Sequence, residues 1–243
     1  MIAAADAHGV LLSGILQQRF TPAHQYAKRV MTAGSLGQPT LGSAYNKWWR
    51  SQEYYDHGQW RGTWGMDGGG ALMNQGIHAV DLLLWLMGPV SDVYAQTATL
   101  SHEGIEVEDT LVATLRFDNG ALGVIEAATS SYPGTPRRLE LTGPRGTLVT
   151  QGQQIVHCEF ADTGAAAEHP APTGIDTANS GGSRNPTDIS HVCHRKQLQD
   201  VVQAITEGRP PLVDGREARR PVELITAIYQ SAHEHRPVHL LRG

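Results

Sequence analysis

The chain has 243 residues, enough for one large domain or for one domain with a remnant of another, and its composition is that of an ordinary globular protein. A formal charge of -5, with no basic run around the Arg137–Arg138 and Arg219–Arg220 pairs, speaks against nucleic acid as the main partner. No apolar run is long enough to span a bilayer, the N-terminus lacks a basic leader region, and Cys158 and Cys193 are too few for a disulfide framework, so a cytoplasmic protein with no membrane partner is expected.

Met1 to Ala7 reads as the last turns of a helix stopped by Gly9, and Val10 to Leu16 as a buried strand. A domain rarely begins inside a helix, so Met1 reads as an internal methionine. A helix follows from Thr21, with Thr21 as N-cap, Pro22 at the first helical position and Gly34 beyond its end. Leu41 to Gln52 is strand-like, and Glu53 to Met66 is a loop. Ala71 to Met87 is an apolar helix ended by Gly88-Pro89.

Six strands come next: Val93–Leu100, Val107–Phe117, Ala121–Ser130, Arg137–Leu141, Thr147–Thr150 and Gln154–Phe160. Asp118-Asn119-Gly120 between two of them is a hairpin signal. Ala161 to Asp188 has no period and reads as a long loop. Helices over Ile189–Glu207 and Gly215–His233 and a short edge strand at Pro237–Leu240 close the chain. Strands in one run, with helices before and after, predict an α+β fold: an open, largely antiparallel sheet covered by helices on one face. Alternating apolar residues at Val107, Leu111, Ala113, Leu115 and Phe117 mark one face of a strand. Helices cover only one side of such a sheet, so self-association through its exposed face is expected.

The chemistry concentrates between Trp60 and Gly88. Asn74, His78 and Asp81 stand at i, i+4 and i+7, a single polar stripe on an otherwise apolar helix, with Gln75 beside it. Buried polar groups need partners, so the stripe completes an internal network or faces a pocket. Asp81 is spaced to orient the His78 ring, leaving the other ring nitrogen to exchange a proton with a substrate oxygen held by Asn74. Gly76 within the helix implies close approach of something to the backbone. Gly68-Gly69-Gly70 is either a flexible helix start or a set of backbone N–H groups open to a ligand. Trp60, Arg61 and Trp64 suit a polyol or sugar, and equally a packed loop. Arg19, after the first strand, reads as a ligand-binding or a surface arginine. His191 and His194 have metal-ligand spacing without an accompanying carboxylate pattern, and no metal is expected.

No G-x-G-x-x-G, P-loop or nucleophile elbow occurs in the sequence. The run from Trp60 to Gly88 resembles the substrate domain of the Gfo/Idh/MocA oxidoreductases. IEVEDT (Ile105–Thr110), FDNGALGVIEA (Phe117–Ala127), YPGTPRRLELTGPRGT (Tyr132–Thr147) and HRKQLQDVVQAITEGRPPLVDGREARRPVELI (His194–Ile225) resemble it too. In that family an N-terminal Rossmann domain binds NAD or NADP and supplies a catalytic lysine, and the second domain supplies Asp or Asn, three residues, then His. Asn74 and His78 match that last pattern, and the lysine has no match.

The resemblance implies an NAD(P)-dependent oxidoreductase acting on a sugar, sugar derivative or cyclitol, with residues 1–20 the remnant of the dinucleotide-binding domain and residues 21–243 the substrate-binding and oligomerisation domain. It implies a homodimer or homotetramer. The catalytic set is His78, Asn74 and Asp81, and the substrate-binding set is Arg19, Trp60, Arg61, Trp64 and Gln75. The chain alone is expected neither to bind NAD(P) tightly nor to turn over. The alternatives are a cofactor-free sugar-binding or oligomerisation module, and an NAD-dependent glycosidase of the same fold.

Overall fold

The computed structural model describes residues 1–162, 182–183 and 190–240. In chain order the elements are α1 (Ile2–His8), a 3-10 turn (Gln17–Phe20), α2 (Pro22–Thr32), β1 (Leu41–Lys47) and α3 (Gln52–Asp56). A π-helical turn (Ala71–Gly76) runs into α4 (Ile77–Met87). Then come β2 (Val90–Ala98), β3 (Thr110–Phe117), β4 (Leu122–Ala128), β5 (Arg138–Gly143), β6 (Gly146–Gln151) and β7 (Gln154–Phe160). The last elements are α5 (Val192–Glu207), α6 (Gly215–Glu234) and β8 (Val238–His239). The expected loop at Ala161–Asp188 lies almost entirely outside the described residues.

One eight-stranded sheet has the order β7-β6-β5-β1-β4-β3-β2-β8. Every neighbouring pair is antiparallel except β1 with β4, which run parallel. Short turns build the antiparallel hairpins. Between β3 and β4, Asn119 Oδ1 accepts from Ala121 N at 3.0 Å and its Nδ2 donates to the Met87 carbonyl at 3.0 Å, so the turn also seals the end of α4. The Thr21 cap holds: its hydroxyl accepts from His24 N at 3.3 Å, with Pro22 opening the helix. Asp214 caps α6 in the same way, accepting from Glu217 N at 2.8 Å.

The alternation along β3 decides which face is which. Leu111, Ala113, Leu115 and Phe117 are buried in the core with α4 and α6 residues such as Leu82, Leu83, Leu224 and Ile228. Val112, Thr114 and Arg116 face the other way and are exposed. The apolar row thus marks the helix-covered side, and the open side carries a mixed surface.

Three expectations need correction. Val10 to Leu16 is not a buried strand: it makes one isolated bridge, Ser13 to Asp214, and Val10, Leu11 and Ile15 are exposed. A buried glutamine takes the place of a strand partner, with Gln197 accepting from Leu16 N at 3.0 Å and donating to the Gly14 carbonyl at 2.7 Å. β1 stops at Lys47 rather than Gln52, and the loop after it contains α3. β3 starts at Thr110 rather than Val107, because the buried carboxylates of Glu108 and Asp109 are engaged with backbone N–H groups of other segments.

A buried ion pair joins the 3-10 turn to α4. Arg19 donates from Nη2 to Asp81 Oδ1 at 2.6 Å and from Nε to both carboxylate oxygens at 3.0 and 3.1 Å, and its Nη1 reaches Glu217 on α6 at 2.8 Å. Arg19 and Asp81 are both almost wholly buried. Removing one partner strands the other charge in the core, so Asp81→Leu is expected to lose about 3–5 kcal/mol of stability. The double variant Arg19→Met/Asp81→Leu should recover most of that loss in urea unfolding. Equal losses in the single and double variants would contradict the pairing.

Candidate active site

The start of the site helix is tied down by a carboxylate. Glu108 Oε2 accepts from Gly70 N at 3.0 Å and Oε1 from Leu72 N at 2.9 Å, while the Glu108 carbonyl accepts from Ala71 N at 2.9 Å. The Tyr229 hydroxyl, on α6, donates to Glu108 Oε1 at 3.0 Å and accepts from Gly70 N and Met73 N at 3.2 Å each. A Cβ on Gly70 would overlap the Glu108 backbone, so the glycine is required by this close approach. The N–H groups after the glycine triplet are therefore taken by the protein itself, which corrects the reading that they stand open to a ligand. Gly76 likewise serves packing: a side chain there would press on Leu72 and the Ala71 carbonyl.

The polar stripe divides three ways. The helix opens with a π turn, which carries an extra residue per turn and offsets Asn74 from the face of α4. Asn74 donates to Asp67 Oδ1 at 2.6 Å, and Asp67 Oδ2 accepts from Gly62 N at 3.0 Å, so the amide pins the preceding loop. Asp81 is held by Arg19 and makes no hydrogen bond to His78, so the expected His78–Asp81 contact is absent. The buried Nδ1 of His78 has no partner among the described residues. Burial first, then the positive charge of Arg137 and the neighbouring His194, pushes the His78 imidazole down to about 3. It is neutral at physiological pH.

The predicted binding residues separate similarly. Arg19 is neither at the surface nor free for a ligand, since its donors are spent on Asp81 and Glu217. Gln75 is buried, donates to the Tyr54 hydroxyl at 3.3 Å and leaves its Oε1 without a partner. Arg61 stacks 4.2 Å over Tyr54 and 5.2 Å over Trp60, and donates to the Tyr54 carbonyl at 3.0 Å. Gln75, Tyr54, Arg61 and half-exposed Trp60 thus form one contiguous group. Trp64 turns instead to α6, edge-on to Tyr229 with ring centroids 5.2 Å apart.

Sequence reasoning passed over several residues here. Among the described residues, eleven buried side-chain nitrogen and oxygen atoms have no hydrogen-bond partner. They include Asn46 Nδ2 and Oδ1, Trp48 Nε1, Arg137 Nε and Thr150 Oγ1, beside those of Arg50, Arg61, Gln75 and His78. The strand register gathers Asn46, Trp48, Arg137 and Thr150. Leu139 pairs with Ala44 on one side and Thr150 on the other, and the next residues outward on that helix-facing side are Asn46 and Arg137. Arg50 and Arg137 lie 5.2 and 5.5 Å over the Trp48 ring. The signal in the sequence was the alternation Arg137, Leu139, Leu141: an arginine in an apolar row. Native interiors rarely leave polar groups unpaired, so their concentration at one end of the sheet makes that end the candidate binding region.

The fold is that of α+β proteins with a large open sheet covered on one face. The model of the GFO/IDH/MocA C-terminal domain matches residues 24–149. A WlbA dehydrogenase from Bordetella pertussis, in complex with NADH and UDP-GlcNAcA, superposes with a TM-score of 0.82 at 34% identity over 100% of this chain and 67% of its own. The scyllo-inositol 2-dehydrogenase (NAD(+)) of Bacillus subtilis is 24% identical over 96% of this chain and 63% of its own length. The myo-inositol 2-dehydrogenase of Thermotoga maritima is 28% identical over 71% of this chain and 49% of its own length. The chain belongs to the GFO/IDH/MocA family, whose C-terminal domain it carries, and it spans about half to two thirds of the length of these relatives.

Two imidazoles make stability depend on pH. His24, buried with its Nδ1 between the Thr21 hydroxyl and the Gln18 carbonyl, is pushed down to about 4, chiefly by burial, as His78 is pushed to about 3. Both lie below the unfolded value of 6.5, so the unfolded chain binds more protons throughout the window beneath it. Their contribution is complete above about pH 6.5 and is lost as pH falls toward 4 and then 3, on the order of 3 kcal/mol for His24 alone. Urea unfolding at a series of pH values should show this rise, and His78→Asn should flatten it by about one proton. An identical slope in parent and variant would rule out a neutral His78 in the folded chain.

Proposed function

We propose that the complete protein is an NAD(P)-dependent oxidoreductase acting on a hydroxyl of a sugar, sugar derivative or cyclitol, and that this chain supplies its substrate pocket and its acid/base residue. The observation that carries the reading is His78: a neutral imidazole with an unpartnered buried nitrogen, at the head of α4, among unpaired polar groups. The names of the relatives, dehydrogenases of inositols and a WlbA dehydrogenase seen with UDP-GlcNAcA, support a polyhydroxy substrate. In this reading residues 1–20 are the tail of a dinucleotide-binding domain and residues 21–243 the substrate domain.

His78 takes the proton of the substrate carbinol during oxidation and returns it in the reverse direction. Gln75, Arg61 and Trp60 offer hydroxyl partners and an apolar ring face to the sugar. Asn74, on Asp67, and Asp81, on Arg19, hold the loop and the helix that present His78, which makes them positioning residues. The dinucleotide itself has no cradle among the described residues. A pyrophosphate wants free N–H groups at a Gly-rich helix start, and the glycine triplet here is closed by the carboxylate of Glu108.

In the complete protein, His78→Ala should lower turnover about 10²- to 10⁴-fold. Turnover within about threefold of the parent would remove the assignment, since general acid–base groups contribute far more than that. We also assign homo-oligomerisation to the open face of the sheet, where Leu41 and Leu122 pair in register and Tyr94 and Val112 are exposed nearby. Light scattering at micromolar concentration should report a dimer or tetramer that Leu122→Lys weakens. A monodisperse parent monomer would contradict it.

A further inference from the structure

Arg137 is the side chain in this pocket least explained by folding. It is 7% exposed, its Nε has no partner, and it makes no ion pair among the described residues. Arg19 shows what a structural arginine looks like in the same protein: buried, with two carboxylates on its donors. Asp81 is the carboxylate whose charge reaches Arg137, and its oxygens are already taken by Arg19. A buried guanidinium with no counter-ion costs free energy, and its planar fork matches a carboxylate or a phosphate.

The surroundings have the same bias. The unpartnered groups nearby are the donors Trp48 Nε1 and Asn46 Nδ2, the Thr150 hydroxyl, which can donate or accept, and one acceptor, Asn46 Oδ1, with no carboxylate among them. The charge of Arg137 is felt at His78 on α4 and at His24 on α2, so it sits within electrostatic reach of the acid/base candidate.

We propose that Arg137 seats an anionic group of the substrate, a carboxylate or a phosphate, beside His78, so that the substrate is an acidic sugar derivative rather than a neutral polyol. This rests on the reading that His78 faces the substrate. It has a consequence for the chemistry. Arg137 and His194 both disfavour a proton on His78. An anion on Arg137 cancels the larger of those two charges, so His78 becomes a stronger base as the acidic substrate binds. A neutral polyol leaves the base weak.

The test uses the 243-residue chain with four probes: glucuronate, glucose phosphate, inorganic phosphate and neutral glucose. Binding is read by calorimetry, and the His78 ring by NMR titration. At least one sugar anion should bind about 10- to 100-fold more tightly than glucose and raise the His78 pKa on binding. Preference for glucuronate identifies a carboxylate; preference for glucose phosphate, with inorganic phosphate competing, identifies a phosphate. Arg137→Met should lose that preference and melt no lower than the parent, because it removes an unpaired buried charge. Failure of Arg137→Met to fold, or a markedly lower melting temperature, would show a structural arginine and overturn the proposal. So would equal binding of anions and glucose, or a preference that survives in Arg137→Met. His78→Gln separates the two claims: it should keep the anion preference, and if the complete enzyme keeps its turnover in that variant, the acid/base reading fails while the anion seat stands.

Discussion

Glu108 joins the segment before β3, the start of the site helix and α6 at one point. Its carboxylate accepts from Gly70 N, Leu72 N and the Tyr229 hydroxyl. Those bonds fix where the π turn begins, and hence the rotation at which α4 presents His78. They also dock α6 against the start of the site helix, and Trp64 packs edge-on against the same tyrosine. A buried carboxylate is tolerable here because helix N-termini carry unsatisfied donors and partial positive charge. The same feature excludes an external anion from this helix start, which moves any anion recognition to side chains elsewhere in the pocket.

The polar interior is of two kinds. Arg19–Asp81–Glu217 and Glu108–Tyr229 are paired donor to acceptor and bind elements to one another. Asn46, Trp48, Arg137, Thr150 and His78 carry buried atoms without partners and lie at one end of the sheet and on the helix above it. Paired groups add rigidity, and unpaired ones cost stability until a ligand or ordered water satisfies them. The boundary between the two sets runs along α4 itself. Asp81 turns to the structural network and His78, one turn earlier, to the pocket.

The sheet separates its tasks by face. The helix-covered side holds the apolar core and, at its edge, the pocket. The open side carries Tyr45, Tyr94, Val112 and Leu122 among charged residues such as Lys47 and Glu126, which pair at 2.6 Å. That mixed surface is the one to which self-association is assigned.

The features legible in the sequence were ones governed by near neighbours. Thr21-Pro22 set the start of α2, Asp118-Asn119-Gly120 turned β3 into β4, and alternation placed β7 on the residues expected, Gln154 to Phe160. Spacing picked out the stripe of Asn74, His78 and Asp81, and the family resemblance singled out the first two. The partners of the stripe were not legible, because they come from far along the chain: Arg19 for Asp81, Tyr54 for Gln75, Arg137 for the field at His78. Spacing suggested a His78–Asp81 contact, and a guanidinium 62 residues away took the carboxylate instead. The π turn escaped a pattern read at 3.6 residues per turn, because the segment is apolar on nearly every side and no period in it registers the offset. Local periodicity and capping depend on a few adjacent residues and can be read in order. Which buried charge is paired and which is left for a ligand depends on groups that meet only when the sheet and helices close, and that was decided by the tertiary structure.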